Sequence, residues 1–410
     1  MSGRSKSTRC LRAVLIGAAA GVVSASVVAP AAKAQGAPEI VWRHQGHAPG
    51  YDVYAVAFSS GGDILASGSE DFDIRLWRSS DGTHIRKIDD HGWVMSVGFS
   101  PDGELLASAT AGFDMAVRLW RVSDGSLVRT LTVPDVHAQA VAFSPDGAVV
   151  ASGWSDGNVR LWRVSDGALL RTLTGHAGYV ESVVFFADGQ TLASCGAWPN
   201  GRTVKLWRVS DGSLIRTLEH GRQVHDVAIS ADENLLASAG SDGLKLWQVS
   251  DGTLVRTMPL TPTNAVSFSP DGRVLVSGGG TVRLWRVSDG ALLRNYTDAT
   301  KETYGVRFSI DGVTYAYATR GGWVTVARNP FVGTEECGWL AKIKAKCKDN
   351  GATVIGKLAK SLPNSPVTFT LDGKNPIERT TNGRGKAKVK YTEQAPGPHK
   401  VASCDLEAGC

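Results

Sequence analysis

The chain has 410 residues, of which 42% are apolar and 20% charged, a composition typical of a folded globular protein and not of a disordered one. Its formal net charge is +5, but residues 1–34 alone carry five basic and no acidic side chains, while residues 35–332 carry a net −5 and residues 333–410 a net +5. Without residues 1–34 the chain is close to neutral, which removes the main support for a nucleic-acid partner.

Residues 1–34 have the layout of a secretory signal peptide. Basic residues precede an apolar run over 13–29, and Ala32-Lys33-Ala34 supplies a small-x-small cleavage site; the basic residues are Arg4, Lys6, Arg9 and Arg12. An uncleaved membrane anchor is the alternative, but the run is rich in alanine and no stop-transfer pattern follows it. We therefore expect an exported protein, secreted or retained in the periplasm or cell envelope, with no membrane span in its mature form.

The main body is built from a repeat of about 40 residues. A Leu-Trp pair recurs with tryptophan spacings of 43, 42, 45, 40 and 38 residues, at Trp77, Trp120, Trp162, Trp207, Trp247 and Trp285. A seventh copy has Ala327 in place of the tryptophan. Each copy contains four short apolar segments separated by turn residues, which predicts four antiparallel strands, and this period is typical of propeller blades.

The two ends of the repeat region predict a closed ring. Residues 39–44 precede Gly46-His47 just as residues 168–173 precede Gly175-His176, so they correspond to a fourth strand that has no blade of its own. The last copy, which ends near residue 330, lacks a fourth strand. A parallel solenoid is the structural alternative, but it expects shorter repeats and capped ends. We therefore predict an all-β, seven-bladed propeller over residues 39–330, closed by its N-terminal strand.

The Gly-His, Leu-Ala-Ser, Asp-turn and Leu-Trp pattern of these copies resembles the WD-repeat family. In that family a His, a Ser or Thr, an Asp and the Trp form a hydrogen-bonded set inside each blade. The matching positions are His47, Ser67, Asp71 and Trp77; His91, Ser108, Asp114 and Trp120; Ser152, Asp156 and Trp162; His176, Ser194 and Trp207; His220, Ser238, Asp242 and Trp247; and Trp285. Pro134 stands at the third His position and Asn200 near the fourth Asp position, and the last two copies lack both residues. We expect those two blades to depend on apolar packing and to be the weakest part of the ring.

Aromatic side chains that break the repeat predict a binding face. The loops that enter the first strands and those between the second and third strands emerge on one face of a propeller, and these positions hold Trp93, Phe113, His137, Trp154, Tyr179, Trp198 and Trp323. Large aromatic residues supply much of the binding energy at interfaces. We therefore expect a monomeric scaffold that binds a protein or peptide there. Carbohydrate binding is an alternative, as is packing of these side chains beneath loops.

Catalytic patterns do not stand out from the repeat. Each Ser-Asp-Gly run is interpreted as a turn, Cys195 as a small buried residue, and the arginines of the fourth strands as a solvated outer rim. We predict no enzyme activity, cofactor or metal. The alternative is a hydrolase or lyase at the channel mouth, which a single acid, histidine and metal that depart from the repeat and are grouped at the channel would favour.

Residues 333–410 carry short alternating strands between turn signals and resemble bacterial immunoglobulin-like modules. The resemblance implies a small β-sandwich, in which cross-links help a limited core. Cys347 with Cys404 and Cys337 with Cys410 are the expected disulfides, one of three possible connectivities; a zinc site is disfavoured because there is no C-x-x-C pair.

Overall fold

The computed structural model describes residues 37–197, 199–258, 262–296 and 302–332, together with the backbone of six short strands between residues 344 and 409. The expected signal peptide at residues 1–34 and Trp198 lie outside these residues. The expected disulfides also lie outside them, since the side chains beyond residue 332 are not described.

Seven four-stranded antiparallel sheets form the main body, and we number them as blades in chain order. Blades 1 to 3 comprise β2 (Val53–Phe58), β3 (Ile64–Ser69), β4 (Asp73–Arg78) and β5 (His84–Asp89); β6 (Trp93–Phe99), β7 (Leu105–Ala111), β8 (Val117–Arg121) and β9 (Leu127–Leu131); and β10 (Ala138–Phe143), β11 (Val149–Trp154), β12 (Asn158–Arg163) and β13 (Leu169–Thr174). Blades 4 to 6 comprise β14 (Val180–Phe185), β15 (Thr191–Gly196), β16 (Thr203–Arg208) and β17 (Leu214–Glu219); β18 (Val224–Ile229), β19 (Leu235–Gly240), β20 (Gly243–Gln248) and β21 (Leu254–Thr257); and β22 (Thr263–Phe268), β23 (Val274–Gly279), β24 (Val282–Arg286) and β25 (Leu292–Tyr296).

Blade 7 contains the closure of the ring. It combines β26 (Thr303–Phe308), β27 (Thr314–Thr319) and β28 (Trp323–Arg328) with the N-terminal strand β1 (Ile40–Gln45), which pairs antiparallel with β28 from Ile40 opposite Ala327 to Gln45 opposite Trp323. The predicted seven-bladed ring and its closure by the first strand are therefore confirmed.

Beyond the ring, the described backbone forms two three-stranded sheets. Their strands are β29 (Lys344–Cys347), β30 (Thr353–Leu358), β31 (Pro366–Leu371), β32 (Lys374–Thr380), β33 (Ala387–Thr392) and β34 (Ala408–Gly409). The predicted immunoglobulin-like sandwich stays a prediction.

The turn chemistry explains why the strands end where they do. In blade 3 the Ser144 hydroxyl donates to Asp146 Oδ1 at 2.5 Å, and the same oxygen accepts the Ala148 backbone N–H at 3.0 Å. Gly147 has φ +71°, which a side chain would resist. In the outer turn Asp124 Oδ1 accepts the Ser126 N–H at 2.8 Å. The interpretation of the Asp-Gly runs as turns is confirmed.

Apolar packing joins each blade to the next. Seven clusters of buried residues lie one at each junction between neighbouring blades of the ring. The cluster between blades 6 and 7 is rich in aromatic side chains, with Phe308, Tyr315 and Tyr317 packed against one another. Tyr315 and Tyr317 therefore fill the space that the absent tryptophan of blade 7 leaves open.

Blade 1 contains the complete expected hydrogen-bonded set, and blade 5 contains part of it. In blade 1 the Trp77 indole donates to Ser67 Oγ at 2.9 Å, Ser67 contacts His47 Nε2 at 2.7 Å, and His47 Nδ1 contacts Asp71 at 3.0 Å. Burial alone would raise the pKa of Asp71, but its hydrogen bond with His47 lowers that pKa to about 2. In blade 5 the Trp247 indole donates to Ser238 Oγ at 2.8 Å, but His220 Nε2 lies 3.5 Å from the Ser238 backbone carbonyl oxygen and does not contact the hydroxyl. His220 Nδ1 and Asp242 Oδ1 lie 2.5 Å apart without a hydrogen bond between them.

Blade 2 departs from the expected set. The Trp120 indole donates to Ser108 at 2.9 Å, but His91 is exposed and lies on the outside of its turn. Asp90 occupies the histidine position, since its N–H donates to Phe72 O as that of His47 does to Gly322 O. Asp90 is buried and binds Arg118 at 2.7 Å, and Arg118 also pairs with Asp114. The assignment of His91 was wrong by one residue because the loop is shorter.

Blades 4 and 6 keep only part of the set. His176 Nε2 contacts Ser194 at 2.7 Å, and the Trp207 indole donates to the same hydroxyl at 2.7 Å. His176 Nδ1 has no hydrogen-bond partner among the described residues, since Asn200 is exposed. In blade 6 the Trp285 indole donates to Ser277 at 2.8 Å, a serine that the sequence reading did not single out.

The arginines of the fourth strands connect neighbouring blades. Arg86 of blade 1 donates to the Ser123 and Asp124 carbonyl oxygens of blade 2 at 2.7 and 2.8 Å. The contact recurs at Arg129 to Ser165 and Asp166, Arg171 to Ser210, Arg216 to Ser250 and Asp251, and Arg256 to Ser288. These arginines do lie on the outer rim, half-exposed or exposed, but the rim prediction did not include the hydrogen bonds that each guanidinium makes to the turn of the next blade. We call these contacts the arginine clamps.

Two junctions of the ring use other contacts. Between blades 6 and 7, Arg294 lies 5.1 Å from the centre of the Phe331 ring. At the closure between blades 7 and 1, the Trp42 indole donates to Ser79 O at 2.7 Å. Trp42 therefore takes the place of an arginine clamp at the closure.

Candidate functional site

The seven inner strands surround a central channel with a cavity volume of about 450 Å³. Many of its lining side chains are small, such as Ala55, Gly98, Ala140 and Ala228. Each inner strand carries a β-bulge near the start of the strand, where one residue is left out of the pairing register. Such bulges re-aim single side chains at the rims of barrels and active sites.

The bulged residues define one end of the channel, which we call the channel mouth. They are Tyr54, Met95, Gln139, Glu181, His225, Asn264 and Tyr304 in blade order. Their chemistry differs from blade to blade, whereas the residues around them follow the repeat. Variation on a repeated frame identifies this end as the candidate functional site.

An aromatic patch borders the channel mouth at blades 1 to 3. Phe113 is 84% exposed, and its ring meets the Phe72 ring edge to face at 6.4 Å. Trp93 is 37% exposed and lies against Gly112, where an added Cβ would come within 3.2 Å of Trp93 Cδ2. The Gly112 N–H donates to His137 Nδ1 at 3.2 Å. We call Phe72, Trp93, Phe113 and His137 the aromatic patch.

Phe72 has a left-handed backbone with φ +72°. The equivalent turn positions in blades 3 and 7 are Gly157 with φ +80° and Gly322 with φ +85°. A bulky L-residue in this region carries a cost of about 1–2 kcal/mol that glycine avoids. The chain therefore keeps a strained phenylalanine where blades 3 and 7 have glycine. Phe72 was not predicted from the sequence, although the replacement of those glycines by phenylalanine was a usable signal.

Trp154 does not belong to the binding face. Its side chain is 0% exposed, and its indole donates to Ser152 Oγ at 2.7 Å, which also accepts the Trp162 indole at 2.7 Å. Ser152 then donates to Arg160 O at 3.3 Å. Trp154 thus supplies the contact that histidine makes in blade 1. The assignment of Trp154 to partner binding was wrong, because this blade has no histidine at the expected position and the Trp154 indole donates to Ser152 instead.

Of the remaining predicted binding residues, Tyr179 lies directly before the first strand of blade 4 and Trp323 begins the third strand of blade 7. Tyr179 is half-buried, and Trp323 is half-buried beneath the Arg43 guanidinium, which lies 4.6 Å from its ring centre. Cys195 is fully buried, and burial raises the pKa of its thiol, as expected for a small core residue.

Three polar side chains are hydrogen bonded in series at blades 4 and 5. Glu181 Oε2 lies 2.8 Å from His225 Nδ1, and His225 Nε2 lies 3.1 Å from Ser241 Oγ. With the proton on Nδ1 donated to Glu181, Nε2 is free to accept the Ser241 hydroxyl proton. Both Glu181 and His225 depart from the repeat.

A second polar group lies where blade 7 meets blade 1. The Tyr54 and Tyr304 rings are 5.4 Å apart at an angle of 64°. Tyr304 Oη lies 3.0 Å from Asp52 Oδ2 and 3.4 Å from Glu302 Oε2. Burial and the charges of Glu70 and Asp52 raise the pKa of Tyr54 to about 12.

One buried carboxylate lies deeper in the channel and joins four blades. Asp226 accepts the Ser182 hydroxyl at 2.8 Å and the Val266 N–H at 3.0 Å, and it pairs with Arg307 of blade 7 at 2.9 Å. Asp226 and Arg307 were not predicted from the sequence. Each is a polar residue at a position that is small in the other inner strands, which only the alignment of the bulges reveals.

The described residues contain no group of three or more His, Cys, Asp or Glu side chains arranged to hold a metal ion. Within the same residues, no helix is long and apolar enough to cross a membrane.

A family model described as "WD domain, G-beta repeat" (WD40) matches six segments of the chain, at residues 38–78, 82–121, 125–163, 167–208, 212–248 and 252–286. These segments cover more than half of the chain, which therefore belongs to the WD40 repeat family. The last copy lies outside them, in keeping with Ala327 and Tyr317 at its Trp and Ser positions.

Curated relatives share only part of their length with the chain. It is 32% identical over 122 residues to the small ribosomal subunit protein RACK1 of Schizosaccharomyces pombe, covering 28% of this chain and 37% of that protein. It is 38% identical over 93 residues to eukaryotic translation initiation factor 3 subunit I of Lodderomyces elongisporus, covering 22% and 26%. It is 28% identical over 118 residues to the periodic tryptophan protein 2 homolog of Dictyostelium discoideum, covering 28% and 13%.

Proposed function

We propose that this protein is an exported, non-catalytic scaffold that binds a protein or peptide partner through the aromatic patch. WD40 propellers typically serve as protein-interaction scaffolds. The observation that carries the proposal is Phe72, which keeps a left-handed backbone where blades 3 and 7 have glycine and lies against the exposed Phe113 ring. Strain of this kind persists where function needs it, and exposed aromatic rings act as interface anchors.

The test separates binding from stability. Phe72→Gly relieves the strained backbone while it removes the ring, so we expect its stability to stay within about 1 kcal/mol of the wild type. Partner capture from an envelope fraction of the native cells should be lost in Phe72→Gly and Phe113→Ser. Ile310→Ser is the matched control, because Ile310 is an exposed apolar residue at the opposite end of an inner strand. Equal capture of the same proteins by all four forms would refute the aromatic patch.

The export proposal rests on the leader pattern of residues 1–34. N-terminal sequencing of the protein recovered from the native cells is expected to begin at Gln35. A chain recovered in the cytoplasm with residues 1–34 intact would contradict export.

A second candidate function, ester hydrolysis, is favoured by the Glu181, His225 and Ser241 series. In such a reaction Ser241 Oγ bonds to the acyl carbon, His225 takes the hydroxyl proton and passes it to the leaving alcohol, and water then releases the acyl group. A fluorophosphonate probe distinguishes the two functions. Labelling of Ser241 that is lost in His225→Ala would favour the hydrolase, and absence of labelling in the folded wild type leaves the scaffold.

A further inference from the structure

We propose that the channel mouth between blades 7 and 1 binds one organic cation, the guanidinium of an arginine side chain presented by the partner. This inference rests on the proposed scaffold function and names the chemistry of the partner. The residues of the site are Asp52, Tyr54, Glu70, Glu302 and Tyr304, which we call the tyrosine pocket.

Two tyrosine rings form the wall of the pocket. Tyr54 and Tyr304 both line the central cavity, and their rings meet edge to face at 5.4 Å. An aromatic wall of this kind accommodates a cation over a ring face, and arginine does so more often than lysine. The cavity lined by small side chains behind the rings leaves room for a side chain to enter.

The hydrogen-bond inventory of the pocket lacks donors. The Tyr304 hydroxyl has one proton but faces two carboxylate oxygens, at 3.0 Å in Asp52 and 3.4 Å in Glu302. The Tyr304 proton is donated to Asp52, which gives the shorter of the two contacts. Asp52 also accepts the Gly321 N–H at 3.0 Å. Glu302 Oε1 accepts the Asn264 side-chain N–H at 3.2 Å, whereas its Oε2 faces a phenol oxygen without a proton between them and is open to solvent. A ligand that brings several N–H donors would replace water at this oxygen.

The charge of the pocket is not neutralised by the described residues. Asp52, Glu70 and Glu302 form no ion pair with a described basic side chain, and the nearby Arg307 is engaged by Asp226. The side chain of Arg320 is exposed. The hydrogen bond between Arg320 and Glu302 joins their backbones, from the Arg320 N–H to the Glu302 carbonyl oxygen. Burial raises the pKa of Tyr304, and its hydrogen bond with Asp52 and the charges of Asp52 and Glu302 raise it further.

The arrangement suits a guanidinium better than a metal ion. Two separate carboxylates lie within hydrogen-bond distance of the Tyr304 phenol, and the described residues contain no metal-binding group. A guanidinium is planar and carries five N–H donors, so it can lie against a ring and donate to separated oxygens together.

The experiment uses the full-length mature protein and a matched pair of small probes. N-acetyl-arginine amide carries the guanidinium, and N-acetyl-citrulline amide is its neutral isostere. NMR of ring-labelled tyrosine is expected to show shifts of Tyr54 and Tyr304 with the arginine probe at low salt and none with the citrulline probe. Equal shifts with both probes, or none with either, would overturn the proposal.

Two variants locate the response. Glu302→Gln is expected to weaken binding of the arginine probe about tenfold by removing one charged acceptor. Glu104→Gln, at the opposite end of the blades, is the control and should leave binding unchanged. If Glu302→Gln lowers the thermal stability, Glu70→Gln is used in its place. An unchanged affinity of the folded variant for the arginine probe would contradict the proposed tyrosine pocket. Because the probe does not contact the aromatic patch, this result is independent of partner capture by Phe72 and Phe113.

Discussion

At the residue scale, one side chain can take over the role of another that the repeat has lost. Blade 3 has no histidine at the expected position, and the Trp154 indole supplies the missing donor to Ser152. The Ser152 hydroxyl then uses its full capacity, since it accepts two indole N–H groups and donates to Arg160 O.

Substitution of Trp154 tests this role. Trp154→Ala removes a fully buried ring and one donor, so we expect a loss of about 3–5 kcal/mol in the free energy of unfolding. Urea unfolding followed by circular dichroism measures it. Phe113→Ala is the control and should change stability by less than about 0.5 kcal/mol, because its ring is exposed. Similar losses for the two variants would contradict the assignment.

His176 predicts how stability depends on pH. Burial and the charge of Lys205 lower its pKa from 6.5 to about 3. Between these values the unfolded chain binds a proton that the folded chain does not, so stability falls as the pH is lowered from about 7 toward 3.

Thermal melts of His176→Gln check the direction of this effect. The variant should lose less stability than the wild type between pH 7 and pH 4, because it has no imidazole to protonate on unfolding. His91→Gln replaces an exposed histidine and is the control, with a pH profile that follows the wild type. If His176→Gln follows it as well, the buried imidazole does not contribute.

At the element scale, the fourth strands hold neighbouring blades together through the arginine clamps. The outer-turn glycine makes the clamp possible: at Gly125, with φ +76°, an added Cβ would lie 2.7 Å from Arg86 Cδ. Arginine and glycine therefore recur together because one packs on the other.

The clamp of blade 2 offers a direct measurement. Arg129→Ala removes hydrogen bonds of 2.8 Å to the Ser165 and Asp166 carbonyl oxygens, and we expect a loss of about 1–2 kcal/mol at this half-buried site. Arg163→Ala breaks only an exposed ion pair with Asp166 and should cost less than about 1 kcal/mol. A larger effect for Arg163 than for Arg129 in chemical unfolding would contradict the clamp.

The periodic elements could be predicted from the sequence, and their mutual contacts could not. Turn residues and the tryptophan period identified the strands of each blade. The same periodicity predicted only a solvated outer rim of arginines. A repeat shows which residues recur, but it does not show which carbonyl groups they bind. His91 was misassigned since a shortened loop shifts the register by one residue. Trp154 was misassigned because an aromatic residue that breaks the repeat looks the same in the sequence whether it is exposed or replaces a missing buried donor.

At the scale of the whole molecule, the sector of blades 5 to 7 is held from the inside. The arginine clamps end at blade 6, and Asp226 with Arg307 spans the channel there instead. The sequence correctly placed the incomplete hydrogen-bonded sets in blades 6 and 7. It could not reveal the compensating pair, because its two members are 81 residues apart.

Asp226→Ala tests this internal tie. It leaves the Ser182 hydroxyl and the Val266 N–H without their acceptor and the Arg307 guanidinium without its counter-charge, so we expect a loss of about 3 kcal/mol. Ser96→Ala is the matched control, since Ser96 accepts the Val141 N–H at the same ring position, and it should cost about 1 kcal/mol. Hydrogen exchange should also accelerate in blades 6 and 7 of the Asp226 variant alone; uniform acceleration would contradict a local tie.

The closure of the ring also sets an order of events. Gln45 donates to Gly321 O across 276 residues of sequence, and β1 finds its partner only in β28. A ribosome therefore releases the first strand long before the strand that will cover its edge exists. Until then the open edges of β1 and of the growing array can pair with other chains. The ring should therefore close only after its last segment has been made. A chaperone that shields Ile40–Gln45 should raise the yield of closed rings more than one that binds a middle blade.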